Sequence, residues 1–154
     1  MNTLAIAKCL ILLLTANGAP IVARNLLGNR CSWPIDAGVR APDGRPVFGP
    51  AKTWRGVAGA ILATAFVAIL IGQSIAVGAA FALLAMCGDL VSSFIKRRLG
   101  KRSSDPALLL DQIPEAAFPA VALAGPLALT TPDIVAVVIG FAVADMVLSR
   151  ALYW

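Results

Sequence analysis

The stretch WRGVAGAILATAFVAILIGQSIAVGAAFALLAMCGDLVSSFIKRR, Trp54–Arg98, decides the fold. It holds two apolar runs, Trp54–Ile71 and Ser74–Ile95, separated only by Gly72-Gln73. Each run is close to the roughly 20 residues a helix needs to cross the hydrocarbon layer of a membrane. So short a gap leaves room for little but a reversal, and the pattern predicts a tight helical hairpin. The hairpin ends in charge: Asp89, then Lys96, Arg97 and Arg98.

Three further apolar runs lie outside the hairpin, at Thr3–Val22, Ile113–Thr130 and Asp133–Tyr153. Pro114, Pro119 and Pro126 all fall in the fourth span, which is tolerable where neighbouring helices satisfy the freed backbone groups. Thr131-Pro132 separates the last two, because proline breaks one helix and can open the next. The 154 residues suffice for one compact unit, and 59% are hydrophobic against 14% charged. A soluble domain carries about 25% charged residues. The apolar surplus is too large for so short a chain to bury, so lipid must cover it. The expectation is an all-α integral membrane protein, a single domain over residues 1–154 with five transmembrane helices.

The cations orient it. Arg24, Arg30, Arg40, Arg45, Lys52 and Arg55 lie in or beside a first long loop, about 23–53, and Lys96, Arg97, Arg98, Lys101 and Arg102 lie in a second, about 96–112. Arg150 is near the C-terminus, and with five spans only Lys8 falls toward the other side. This asymmetry marks both loops as cytoplasmic and the location as the cell membrane. The first seven residues carry no basic side chain, so the first span reads as a retained helix rather than a secretory signal.

Cys9, Cys31 and Cys87 are widely spaced and suggest neither a disulfide framework nor a zinc site. The chain has no histidine, which removes the commonest general base and the commonest transition-metal ligand. Any bound metal is expected to be a hard, oxygen-loving ion such as Mg²⁺.

The first loop has turn signals at Asp36-Ala37-Gly38 and Asp43-Gly44 and apolar residues at Trp33, Ile35, Val47 and Phe48. It reads as an ordered cap on the helix ends, with isolated arginines such as Arg24 and Arg30 solvated. GPAKTWRG, Gly49–Gly56, is not a nucleotide P-loop, because Pro50-Ala51 intervenes before Lys52-Thr53. It leaves Lys52 and Arg55 at a helix start, a position suited to anions.

At about 100° per residue, Asp89, Ser93 and Lys96 fall within about 60° of one another on the third helix. A carboxylate, a hydroxyl and an amine thus form one polar stripe. A charge near the end of a membrane helix usually faces a cavity or a partner. The chain then turns back, and Asp111, with Glu115 one turn on, returns at the level of Asp89. Two carboxylates among Lys and Arg suit a Mg²⁺–polyphosphate complex. A phosphate monoester is largely doubly ionised at neutral pH, so it can attack an activated phosphorus without a strong base. Nucleotidyl transfer onto a lipid phosphate fits this inventory.

GDLVSSFIKRRLG, Gly88–Gly100, resembles the signature of the CTP:phosphatidate cytidylyltransferases, G-D-x-x-x-S-x-x-K-R. The archaeal branch, the CDP-archaeol synthases, is closer still along nearly the whole chain. The shared motifs are NGAP (Asn17–Pro20), WPIDAG (Trp33–Gly38), DGRPVFGPAKTWRG (Asp43–Gly56) and LLLDQ (Leu108–Gln112). The resemblance implies a five-helix enzyme using CTP and Mg²⁺ to convert a lipid phosphomonoester to a CDP-lipid, releasing pyrophosphate. It implies Asp89 and Asp111 as metal carboxylates and catalytic residues with Lys96. It places Asp36, Asp43, Lys52, Thr53, Arg55, Ser93 and Arg97 at positions for substrate binding. The Pro-Gly-His-Gly-Gly segment of the bacterial enzymes is missing, Gln112 follows Asp111, Ala37 replaces a glycine, and Ser92 stands where Glu is frequent. These departures favour the archaeal-type branch and leave lipid selectivity open.

The implied partners are CTP, a lipid phosphomonoester and membrane lipids, with no nucleic acid and no indication of oligomeric state. Asp145, in the inner half of the last span, reads equally as an ion-binding group or as a carboxylate bonded within the bundle. The competing reading is a non-catalytic membrane protein binding anionic lipid headgroups, which gives Asp89 and Asp111 no role. The spacing of CDP-alcohol phosphotransferases is missing, since Asp43-Gly44 runs directly into Arg45.

Overall fold

The computed structural model describes residues 1–101 and 109–152. It is all-helical: α1 (Thr3–Leu27), α2 (Trp54–Leu70), α3 (Ile75–Arg98), α4 (Gln112–Ala122) and α5 (Thr131–Leu152). Each of the first three starts on a polar cap. The Asn2, Thr53 and Ser74 side chains accept from the backbone N–H of Ala5, Gly56 and Val77 respectively. Such caps satisfy donors that a helix start leaves without partners. The α2–α3 hairpin closes where expected, through Gly72 at φ +73°, a conformation open to glycine and costly for other residues.

The bounds differ from expectation at three places. α1 runs on to Leu27 and ends at Gly28, φ +55°. α3 continues past the span end expected at Ile95 to Arg98, which keeps Lys96 on the same helix as Asp89, as the polar stripe requires. The fourth segment is helical only over Gln112–Ala122 and continues as turns through Gly125, Pro126 and Ala128, the last at φ +52°. The cause of this short helix lies in α3. A methyl group on Gly88 would lie 2.5 Å from the Pro114 carbonyl carbon and 2.7 Å from Glu115 Cα. The start of α4 therefore rests on the middle of α3, and α3 rises only about 20 Å between Ile75 and Gly88. Eleven residues of helix cover about 16 Å of that, and the turns complete it.

Cys9, Leu12, Leu13 and Ala16 of α1 pack with Phe81, Ala82 and Ala85 of α3, Ala116 and Ala120 of α4, and Val137 and Phe141 of α5. The many alanines let backbones approach closely, as membrane helices do. The outer surface carries Leu62, Phe66, Leu70, Val121, Ile139 and Val147, all exposed. Three helices, α1, α3 and α5, are long and apolar enough to cross a membrane, and α2 is apolar but shorter. At one end of the bundle the buried Asp133 accepts from Asn2 N (2.8 Å), Thr130 N (3.0 Å) and Thr130 Oγ1 (2.6 Å), tying the starts of α1 and α5 together. Lys8 and Gln73 belong to that end, and the first loop to the other.

Candidate active site

The first loop is ordered by its own carboxylates. Asp36 accepts from Gly38 N (3.1 Å), Phe48 N (2.9 Å) and Gly49 N (3.0 Å), and isolated bridges pair Pro34 with Thr53 and Arg40 with Pro46. Partial burial pushes the Asp36 carboxyl up, but the N–H donors of Gly49, Phe48 and Gly38 outweigh it and hold it below the usual carboxylate range. Since its folded value is lowered, its stabilisation is complete above about pH 4 and lost as pH falls through the lowered value. Hydrogen exchange at Phe48 and Gly49, corrected for intrinsic rates, should stay slow down to about pH 4 and accelerate below it. In Asp36→Asn it should be fast throughout. Slow exchange in that variant would show that the loop holds without the carboxylate.

A clasp fixes this loop on α3. Arg45 Nη1 donates to the carbonyls of Arg98 (2.7 Å) and Arg97 (3.3 Å), where a helix C-terminus favours a cation. Arg98 returns the contact, with Nη1 on Asp43 Oδ1 (2.5 Å) and Nη2 on the Pro46 carbonyl (2.6 Å). The Arg45 N–H and then the Arg98 charge hold the Asp43 carboxyl below its ordinary value. On the far side Arg55 Nη1 donates to the carbonyls of Gly28 (2.8 Å) and Arg30 (2.6 Å), past the end of α1.

Between loop and helices lies a cavity of about 420 Å³. α1 contributes Asn17 and Arg24, the loop and α2 contribute Lys52, Thr53 and Arg55, and α3 contributes Asp89 and Lys96. Asp111 and Glu115 come from the start of α4, and Asp145 from α5. Lys52 Nζ sits 2.6 Å from both Asp89 carboxylate oxygens, and Lys96 Nζ sits 2.8 Å from Asp111 Oδ2. Gln112 Nε2 donates to Asp145 Oδ2 (2.8 Å), which fixes a carboxylate of α5 against α4. Among the described residues, Arg24, Lys52, Arg55 and Lys96 share the wall with the acidic side chains of Asp89, Asp111, Glu115 and Asp145, so both signs face the same space.

Of the residues singled out in the sequence, the cavity gathers Lys52, Thr53, Arg55, Asp89, Lys96 and Asp111. Asp36 and Asp43 lie outside its wall and brace the loop, and Ser93 and Arg97 are buried outside it. The Thr53 hydroxyl caps α2 by accepting from Gly56 N (3.2 Å). Lys96 pairs with Asp111 rather than with Asp89 on its own helix. Asn17, Arg24 and Glu115 are additions to the set. Asn17 is a polar residue inside an apolar run and Glu115 lies one turn beyond Asp111, signals visible in the sequence. Arg24 reads there as solvated. Asp145 resolves toward the cavity while also bonded within the bundle.

Among the described residues no three His, Cys, Asp or Glu side chains gather closely enough to hold a metal unaided. Mg²⁺ is usually held by one or two carboxylates plus substrate phosphates rather than by an all-protein cage. Asp89 and Asp111 offer carboxylate oxygens to the cavity, and these fit a hard cation shared with a ligand.

Fold and site define an all-helical membrane protein with a polar cavity, lined by basic and acidic side chains, at one end of the bundle. The chain belongs to the CDP-archaeol synthase (CarS-like) family, whose model matches residues 2–81 and 71–152. It is 43% identical to the CDP-archaeol synthase of Hyperthermus butylicus over 106 residues, 65% of this chain and 60% of the relative. It is 43% identical to that of Pyrococcus abyssi over 108 residues, 63% of this chain and 61% of the relative. The matches thus span about three fifths of these relatives' length. A solved structure described as an intramembrane enzyme for archaeal membrane lipids biosynthesis is similar, with a TM-score of 0.70 and 32% identity. The superposition covers 93% of this chain and 91% of that one.

Proposed function

We propose that the chain transfers CMP from CTP to a lipid phosphomonoester, giving a CDP-lipid and pyrophosphate. A phosphate oxygen of the lipid bonds to the α-phosphorus of CTP, and the bond from that phosphorus to the α,β-bridging oxygen breaks. The pyrophosphate leaves with that oxygen's electron pair. The observation that carries this reading is the cavity where Asp89 and Asp111, from two helices, face Lys52, Lys96, Arg24 and Arg55. Asp89 and Asp111 are the residues that would hold Mg²⁺, which would supply charge neutralisation at the triphosphate. The lysines and arginines take the phosphate charge left over and orient the nucleotide, which is most of what phosphoryl-type transfer asks of a protein. No side chain needs to remove a proton from the attacking dianion, in keeping with a chain that lacks histidine.

In this reading the chain crosses the membrane five times, α4 and its following turns making the fourth crossing. The cavity end, with the first loop and most of the cations, faces the cytoplasm. A headgroup-binding scaffold gives no use to four carboxylates in one wall.

Purified protein in detergent, given CTP with ether-linked isoprenoid or ester-linked acyl phosphates, should form a CDP-lipid and one pyrophosphate per turnover. Chelation should lower the rate by more than about a hundredfold, restored by Mg²⁺. Absence of product with both lipid classes would overturn the reading, and the ratio of the two rates assigns the lipid class.

A further inference from the structure

We propose that Lys52 and Lys96 act as resident counter-ions, making the cavity select a divalent cation and a polyphosphate together over either alone. The inference rests on the proposed function and adds a property that function does not require. Lys52 Nζ is equidistant, at 2.6 Å, from both oxygens of Asp89, so one ammonium occupies the whole carboxylate edge. Lys96 Nζ holds Asp111 at 2.8 Å, and its side chain is buried. The two carboxylates are thus neutralised by side chains from the first loop and from α3, and both ammonium groups line the same cavity.

Consider the arrival of a bare dication. It must displace an ammonium from its carboxylate and leave that ammonium beside a double positive charge. Lys96 is buried and has no way out, and Lys52, which can turn partly to water, still shares the wall with Arg24 and Arg55. A neighbouring charge shifts the ionisation of a carboxylate by one to three units, and the same repulsion should weaken cation binding by about ten- to a thousandfold. A bare polyphosphate meets the converse obstacle, because Asp89, Asp111 and Asp145 line the same cavity. When the two arrive together the partners exchange. The carboxylates turn to the cation, the ammonium groups turn to phosphate oxygens, and no charge is left without a counterpart. Binding of cation and polyphosphate is therefore cooperative, and by linkage the coupling is reciprocal.

The test reads binding rather than turnover. Mn²⁺ is titrated into the full chain in detergent and followed by its electron paramagnetic resonance signal. It is added alone, with tripolyphosphate, and with the non-hydrolysable α,β-methylene analogue of CTP. The wild type should bind Mn²⁺ weakly alone and at least about tenfold more tightly with either polyphosphate. Lys52→Met should bind Mn²⁺ alone about tenfold more tightly than the wild type and lose most of the coupling. Lys52→Arg keeps the charge and should keep the weak binding of Mn²⁺ alone, which a purely structural effect of the methionine would not predict. Equal Mn²⁺ affinity in wild type and a folded Lys52→Met, or no polyphosphate coupling in the wild type, would overturn the exchange. If tripolyphosphate restores coupling and the CTP analogue does not, the exchange stands and the cytidine-nucleotide reading falls.

Discussion

Asp89→Asn and Asp111→Asn should each lower CDP-lipid formation by at least about a thousandfold, the scale on which aimed charge at a reacting phosphate acts. Asparagine keeps the shape of the side chain and exchanges one acceptor oxygen for an NH₂ donor. For Asp89 that donor would face the Lys52 ammonium, now 2.6 Å from both oxygens. The two variants should differ in stability. Lys96 is 9% exposed and would be left buried without its carboxylate in Asp111→Asn, whereas Lys52 is 27% exposed and can turn to water in Asp89→Asn. Breaking a buried pair costs about 3–5 kcal/mol, and a solvated one much less. Thermal unfolding in detergent should therefore drop clearly for Asp111→Asn and little for Asp89→Asn, with activity lost in both. Activity within threefold of wild type in both, an arbitrary but generous margin of about 0.7 kcal/mol, would mean that the carboxylates serve only as partners for lysine.

Gly88→Ala should lower activity about a hundredfold without touching a charged group. Its added methyl meets main chain, the Pro114 carbonyl carbon at 2.5 Å and Glu115 Cα at 2.7 Å. Backbone cannot rotate aside as a side chain can, so α4 must move, and Asp111 and Glu115 move with it. Overpacking of this kind costs typically about 1–3 kcal/mol. A misplacement of about 1 Å at a reacting centre can cost a hundredfold in rate. The expected result is a folded protein with a lowered unfolding temperature and turnover down by about two orders of magnitude. Wild-type turnover in this variant would show that the α3–α4 approach does not set the carboxylate geometry.

The α2–α3 hairpin was legible because apolar periods and a two-residue reversal are local signals. The same holds for the start of α2 at Trp54 and for the polar stripe that sets Asp89 among basic groups. What the sequence hid depended on distant packing. Nothing local to Ile113–Thr130 says that α4 starts halfway along α3, because the cause is the missing side chain at Gly88. Lysine partners were equally hidden, since the polar stripe joins Asp89 to Lys96, while the fold brings Lys52 across from the loop. Asp36 and Asp43 carry the same motif signal as Lys52, yet their carboxylates are spent on backbone donors and on Arg98. Motif membership does not separate a residue that lines the cavity from one that shapes the loop around it. Residues 102–108, which include the start of LLLDQ and Arg102, lie outside the described residues.

Nine residues of α3 lie beyond Asp89, from Leu90 to Arg98, and helix geometry makes that overhang about 14 Å. The Asp89 end of the cavity is thus sunk below the tip of α3 rather than perched on it. On the proposed function, a bilayer-anchored lipid would need to lift its phosphate little to reach that depth, and the water-soluble triphosphate would come down to it, meeting Arg24 and Arg55 in the same wall.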